Sequence, residues 1–266
     1  MLAFDVYNLL FTFLFTLGLQ LLLFVFAAIF RTDRLTDISY AATFALLVIV
    51  LWFLESDRDR FAEFRSMLML ICVCTWALRL GTYLFYRILV MGRDQRFDGI
   101  REKPFSFLAF WLFQALIVWI TSLPFIVVLS MPRQSAPGWV EALGVFLFAV
   151  GFLMETVADA QKFRFRRNPE NKHHWIQHGL WRFSRHPNYF GESLAWTGIF
   201  VIAIPVLAGW LWLVVLSPIV LTAILLFFSG IPLLEQRALE RFGDDPEYRR
   251  YRKNTSLFIP WIPGKS

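Results

Sequence analysis

"SRHPNYFGESLAWTGIFVIAIPVL", Ser184 to Leu207, passes from a dense polar cluster directly into a run of some twenty mostly apolar residues. A run of that length is what a helix needs to cross the hydrocarbon core of a bilayer. Arg185, His186, Asn188, Tyr189 and Glu192 crowd its first turns. Ionisable groups at the mouth of a membrane helix are costly and usually line a functional cavity. The stretch therefore indicates a membrane fold and also marks where function is to be sought.

The rest of the chain agrees with a membrane fold. Of its 266 residues 58% are hydrophobic, 30 are Phe, and the mean hydropathy is +0.55. Soluble domains average roughly 45–50% apolar residues. Further apolar runs predict an all-α polytopic membrane protein with about seven spans, near 5–30, 38–54, 67–90, 105–130, 138–160, 189–208 and 210–232. The second is short, and the third carries Arg79 and Arg87. The last two, separated around Gly209, predict a tight hairpin. Residues 1–266 form one membrane domain on this reading, with N-terminal helices in 1–135 and a C-terminal half in 136–266 that includes the long polar loop and the tail. The first residues carry no basic segment and too long an apolar run for a signal peptide, so they read as the first span.

Charge sets the expected orientation. The loops on one side hold 4 of the 26 Lys and Arg, those on the other side with the C-terminal tail hold 20, and Arg79 and Arg87 make up the remainder. By the positive-inside rule the N-terminus is outside and the C-terminus cytoplasmic. The net charge of +6 is thus a topology signal. Nucleic acid is not an expected partner, since no basic module separates from the spans. Cys72 and Cys74 stand two apart on a helix and point to different faces, so they read as small core residues. His174 and His178 have i, i+4 spacing but no HExxH pattern and no third ligand, and no metal is expected.

Four clusters carry candidate chemistry. At the end of span five, Glu155 and Asp159 share a face that Lys162 and Arg166 continue. Either this is a solvated helix end, or Arg164, Arg166 and Arg167 form a basic wall suited to phosphate, with Asp159 taking ribose hydroxyls or an adenine amino group. In the opening stretch Asn188, Glu192 and Trp196 lie on one side of span six, preceded by Arg182 and Arg185. In span three, Arg79, Tyr83 and Tyr86 follow helical spacing. In the tail, Glu235, Gln236, Arg237, Glu240 and Arg241 form a charged helix. It is followed by a basic, aromatic cluster around Tyr248, which anionic lipid headgroups would also explain.

These motifs resemble a known family. "GLWRFSRHPNYFGESLAWTGI", "ADAQKFRFRRNP" and "PEYRRYRKNTSLFIPWIP" are similar to the steroid 5-alpha-reductase-like membrane proteins of bacteria. That group forms a superfamily with sterol reductases and isoprenylcysteine carboxyl methyltransferases. The resemblance is strong over 150–266 and extends to "WALRLGTYLFYR" in span three. It implies a bacterial inner-membrane NADPH-dependent oxidoreductase, its site open to the cytoplasm, reducing an activated C=C bond in a lipophilic, steroid-like enone.

By motif position, the resemblance places Asn188, Tyr189 and Glu192 at the nicotinamide and Asp159, Arg164 and Arg167 at the adenosine and phosphates. It adds Arg79, Glu235 and Arg237 to the cofactor site, and Arg182, Arg185, His186, Trp196 and Tyr248 complete the candidate set. Glu192, Asn188, Tyr189 and Tyr83 are the candidate catalytic residues; Asp37, Tyr40, Trp76 and Tyr86 are the candidates for substrate binding. One departure is plain. Steroid 5-alpha reductases carry a Gln-Glu pair in span two and a Tyr in span three, whereas here span two holds no carboxylate and Trp76 stands at the tyrosine position. The alternatives are an S-adenosylmethionine-dependent methyltransferase on the same scaffold, or a transporter or structural membrane protein.

Overall fold

A computed structural model of the chain describes residues 5–30, 32, 34–54, 64–91, 99, 103–131 and 136–262, without the side chains of 34, 37, 88 and 91. Among these residues the fold is all helical. Its α-helices are α1 (Leu9–Ile29), α2 (Arg34–Leu54), α3 (Phe64–Met91), α4 (Pro104–Ser130), α5 (Trp139–Arg167), α6 (Pro187–Ala203), α7 (Leu216–Phe227), α8 (Ile231–Phe242) and α9 (Pro246–Asn254), with short 3-10 turns between them. Among the described residues six segments are long and apolar enough to cross a membrane: Leu9–Ile29, Phe64–Arg87, Pro104–Ser130, Trp139–Arg167, Pro187–Val206 and Gly209–Phe242. The short second span is the shorter apolar helix Ile38–Leu54. Helices dominate because the bilayer core offers no water to backbone N–H and C=O groups, which an α-helix satisfies internally.

The expected hairpin around Gly209 is looser than two abutting α-helices. α6 stops at Ala203, a 3-10 turn covers Ile204–Val206, and a second 3-10 helix runs Gly209–Val215 before α7 begins. Pro205 lies in the first turn, where its missing N–H costs nothing. Gly209 takes a φ of +54, a left-handed conformation that glycine adopts without strain.

The chain forms two compact units. One comprises Met1–Leu143 and Ile199–Ser217, the other Gly144–Gly198 and Pro218–Ser266.

In the first unit α2 packs on α3, α1 on α4, and α4 also touches α2 and α3. The α2–α3 seam is apolar at helical spacing: Phe44, Leu47, Val48 and Leu51 are buried with Met69, Val73, Trp76 and Leu80. α1 is arranged the other way. Its buried residues are Thr12, Thr16, Gln20 and Ala27, whereas Leu14, Leu22, Val25 and Phe26 are exposed. Lipid is as good a solvent for leucine as a protein core, so a membrane helix turns its small and polar residues inward, where they find hydrogen bonds. Gln20 Nε2 donates to Thr43 Oγ1 at 2.8 Å. Gln114 Nε2 on α4 donates to Gln20 Oε1 at 3.1 Å and to Ser39 Oγ at 3.0 Å. Trp119 Nε1 donates to Thr12 Oγ1 at 3.2 Å. The result is a polar ladder joining α1, α2 and α4.

At the start of α5, Glu141 accepts the Gly138 N–H at 2.8 Å through Oε2, as a helix-capping carboxylate does. Its Oε1 accepts Arg65 Nε at 2.9 Å and also pairs with Arg65 Nη2. Both side chains are almost fully buried. Removing one partner of a buried pair strands the other charge, at a cost of roughly 3–5 kcal/mol. Arg65→Met is therefore expected to lower the thermal unfolding midpoint in detergent sharply. Arg65→Met/Glu141→Gln, which keeps an acceptor for Gly138 and removes the orphan charge, is expected to recover most of the loss.

Candidate functional site

The second unit is built on an unusually close approach of α5 and α6. A Cβ on Gly191 would lie 2.6 Å from the Glu155 backbone nitrogen and 2.7 Å from the Gly151 carbonyl oxygen. One on Gly151 would meet the Ala195 backbone, and one on Gly198 the backbone of Gly144 and Phe148. Glycines at 144, 151, 191 and 198 thus form a seam with a seven-residue repeat, the small-residue contact that lets membrane helices touch backbone to backbone. The seam brings the polar end of α5 to the first turn of α6. Asn188 Nδ2 donates to Asp159 Oδ1 at 3.1 Å. Asp159 and Glu155 on α5 and Glu192 on α6 are buried, whereas Arg164, Arg166 and Arg167 at the end of α5 are exposed. Asn188 Oδ1 is buried without a hydrogen-bond partner.

The loop before α6 is fastened from the other side. Ser184 Oγ donates to the Phe258 carbonyl at 2.8 Å and accepts the His186 N–H at 3.1 Å. The Arg185 N–H donates to Ser256 O at 2.8 Å and the Trp261 N–H to Phe183 O at 2.9 Å. Pro187 opens α6, where a missing N–H and a preset φ suit the first helical position.

Glu235 on α8 gathers three basic side chains around one carboxylate. Its Oε1 stands 2.9 Å from His186 Nε2, and its Oε2 pairs with Arg185 Nη1 and lies 3.4 Å from Arg252 Nε. Burial pushes the His186 imidazole below its ordinary pKa. The Glu235 hydrogen bond opposes that shift in part, and the Lys162 charge adds to it. A neutral imidazole facing an acceptor-only carboxylate donates its Nε2–H, which leaves the lone pair on Nδ1. That nitrogen is buried with no hydrogen-bond partner. The Tyr189 ring stacks on His186, 5.8 Å between centroids and 8° between planes.

The remaining candidates fall into two groups. Arg164, Arg167, Arg182 and Arg237 are exposed. Trp196 is fully buried, and Tyr248 is nearly so. Tyr248 packs in an aromatic cluster with Trp175, Phe242 and Tyr251; burial raises its phenol pKa. The sequence does not mark Trp175 or Tyr251 as site residues, and Arg252 belongs to the basic cluster around Tyr248 without a legible partner. Tyr251 donates its hydroxyl to the Trp181 carbonyl at 2.8 Å, tying α9 to the segment before α6. The repeated Tyr-x-x-Tyr of "EYRRYRKN" was its only signal.

In the first unit, Tyr40 and Trp76 meet at 6.2 Å with Phe44 against both rings. Trp76 is fully buried, and Tyr86 is 47% exposed. Arg79 and Tyr83 are half-buried on α3. The Asp37 side chain lies outside the described residues.

Apolar helices that turn polar groups inward, with a charged cluster at the start of one span, define a polytopic helical membrane protein. The chain belongs to the DUF1295 family, described as proteins of unknown function, whose profile matches residues 23–255. An uncharacterized protein of Schizosaccharomyces pombe is 26% identical over 237 residues, covering 76% of this chain and 65% of the yeast protein. Methanethiol S-methyltransferase 1 of Bradyrhizobium diazoefficiens is 37% identical over 83 residues, 31% of this chain and 25% of its own length. The chain thus spans less than two thirds of the length of each of these relatives. No solved structure matches it.

Two outcomes follow from this geometry. Gly191→Ala forces a Cβ into the α5–α6 backbone contact, and overpacking of that kind costs about 1–3 kcal/mol; a lower unfolding midpoint in detergent is the expected readout. The His186 pKa lies lower in the folded state than in the unfolded chain, so below about 6.5 the unfolded state takes up more protons. The stability His186 contributes is complete above that pH and is lost as pH falls toward the folded value. Midpoints measured from pH 7 down to pH 5 are expected to fall less steeply in His186→Asn than in the native protein.

Proposed function

We propose that the protein is an NADPH-dependent membrane reductase of an activated C=C bond in a lipophilic molecule, with its site open to the cytoplasm. The observation that carries this reading is the pairing, within one unit, of an acceptor-rich end and a cationic end. The buried Asn188 Oδ1 has no hydrogen-bond partner and is an acceptor of the kind a carboxamide NH2 requires, beside the interior carboxylates of Asp159 and Glu192. Arg164 and Arg167 follow Asp159 on α5, the farther one about 12 Å along the axis at 1.5 Å per residue. With Arg182 they offer exposed, planar donors of the type suited to phosphates. The donor set fits a dinucleotide that is amide-bearing at one end and polyanionic at the other.

In this reading Asn188 accepts from the carboxamide, with Asp159 holding the Asn188 amide in place, and the arginines bind the phosphates. Glu235 fixes Arg185 and His186 at the entrance of α6. When bound, NADPH would supply the hydride, and the chemistry of transfer is the cofactor's own. A neighbouring acid or water supplies the proton to the α-carbon, and Tyr83, Tyr86 and Asp37 are the groups considered for polarising a substrate carbonyl. The distribution of Lys and Arg supports placing this end in the cytoplasm, in a bacterial inner membrane.

A second reading rests on the relative named methanethiol S-methyltransferase: S-adenosylmethionine would be the cofactor on the same scaffold. It leaves the exposed arginine set without a polyanion to bind. Thermal-shift titration of the detergent-solubilised protein with each cofactor separates the two, because a ligand that binds the folded state stabilises it by mass action. We expect stabilisation by NADPH, weakened at least tenfold in apparent affinity by Arg164→Ala/Arg167→Ala and by Asn188→Leu. A shift with S-adenosylmethionine alone would overturn the reductase reading.

A further inference from the structure

The C-terminal segment 255–262 is an irregular ribbon, bent at 255 and 257–259 and bridged to Ser184 at Ser256, fastened to the residues that lead into α6. Its inward groups are spoken for: Ser256 O, Phe258 O and the Trp261 N–H bond to Arg185, Ser184 and Phe183, and the Phe258 ring meets Phe190 edge to face at 5.5 Å. Its alternate side chains point away. Leu257 is 38% exposed, Ile259 60% and Trp261 75%, and Ile262 beyond them is 78% exposed. Immediately before the ribbon, Arg249, Arg250, Arg252 and Lys253 of α9 are exposed as well. A stripe of Leu, Ile and Trp flanked by four cations is not a surface that water favours.

Its place in the fold says what covers it. The ribbon pairs with Phe183–Arg185, two to four residues before Pro187 opens a membrane-spanning helix. Four residues reach at most about 13 Å even when fully extended, so the paired part of the ribbon stays near the end of that span, where the headgroup zone of a bilayer would fall. Trp is the residue most suited to that zone. Exposed Lys and Arg there gain from anionic lipid, each by an amount equivalent to roughly a fivefold change in occupancy.

We propose that the 255–262 ribbon is a bilayer-seated strap: Leu257, Ile259 and Trp261 enter the boundary between headgroups and acyl chains of an anionic leaflet, Arg250 and Lys253 meet lipid phosphates, and this seating holds the Ser184–His186 loop in place. The lipid surface is thereby a structural ligand of the site, acting through the three backbone-mediated bonds that join ribbon to loop. The proposal does not depend on which cofactor the protein takes.

The test uses the full chain with Cys72→Ala, Cys74→Ala and Ile259→Cys, labelled at 259 with an environment-sensitive fluorophore. The protein is placed in nanodiscs of phosphatidylcholine alone or with added phosphatidylglycerol. With phosphatidylglycerol the emission is expected to shift to the blue and to be quenched by a nitroxide lipid labelled near the headgroup. Arg250→Gln/Lys253→Gln is expected to lower the seated-to-free ratio about 25-fold, at roughly fivefold per charge. In the unlabelled native chain, where only the lipid is varied, hydrogen exchange at 183–186 is expected to quicken as phosphatidylglycerol is withdrawn. A water-like emission in phosphatidylglycerol nanodiscs would overturn the proposal. So would a blue shift without lipid quenching, which would point to a protein partner or a second copy on the stripe. Seating unchanged by the charge variant would overturn the anionic headgroup, and exchange at 183–186 that ignores the lipid would overturn the coupling to the loop.

Discussion

The contact between the backbones of α5 and α6 is the constraint on which the rest of the second unit depends. At Gly151 and Gly191 there is no room for a Cβ, and the helices lie close enough for Asn188 to reach Asp159. A larger residue at either position would part the helices and separate the two halves of the polar cluster. Because the glycines recur every seven residues, the close approach persists over several turns. Asp159 and Asn188 belong to helices whose polar ends are far apart in sequence, and the glycine seam makes them one site.

Around that seam the bilayer inverts the usual logic of a core. α1 keeps its leucines outside and buries threonines and a glutamine, and the Gln20, Thr43 and Gln114 network serves where a soluble protein would use leucine packing. At the mouth of α6 the same economy of polar groups takes an ionic form. One carboxylate, Glu235, contacts Arg185, His186 and Arg252 together. Charges held in this way keep the entrance loop ordered next to lipid, where an isolated ion would be costly.

Much of this was legible beforehand. The apolar runs predicted the helices, including the weakness of the second, since length and hydropathy suffice when the solvent is hydrocarbon. The acidic turn before the α5 arginines and the polar first turn of α6 are the two segments that Asn188 and Asp159 join in the structure. What escaped were partners set by packing between distant segments: Arg65 with Glu141, Arg252 with Glu235, and Tyr251 with the Trp181 carbonyl. By its sequence Arg65 is an ordinary loop cation, because a local pattern does not reveal that Glu141, 76 residues away, lies beside it. Gln20 and Gln114 carry no sequence signal, since a single amide in an apolar run has no periodicity to read.

The sequence by itself determined that the chain is a bundle of membrane helices and which short segment concentrates polar groups, because both follow from local composition against the thickness and polarity of a bilayer. Tertiary structure alone decided which charges neutralise one another, which acids are interior, and that Asn188 keeps a free acceptor while His186 is buried against Glu235. Those outcomes depend on burial and on distances of a few ångströms between helices, and neither is written in the spacing of residues along one of them.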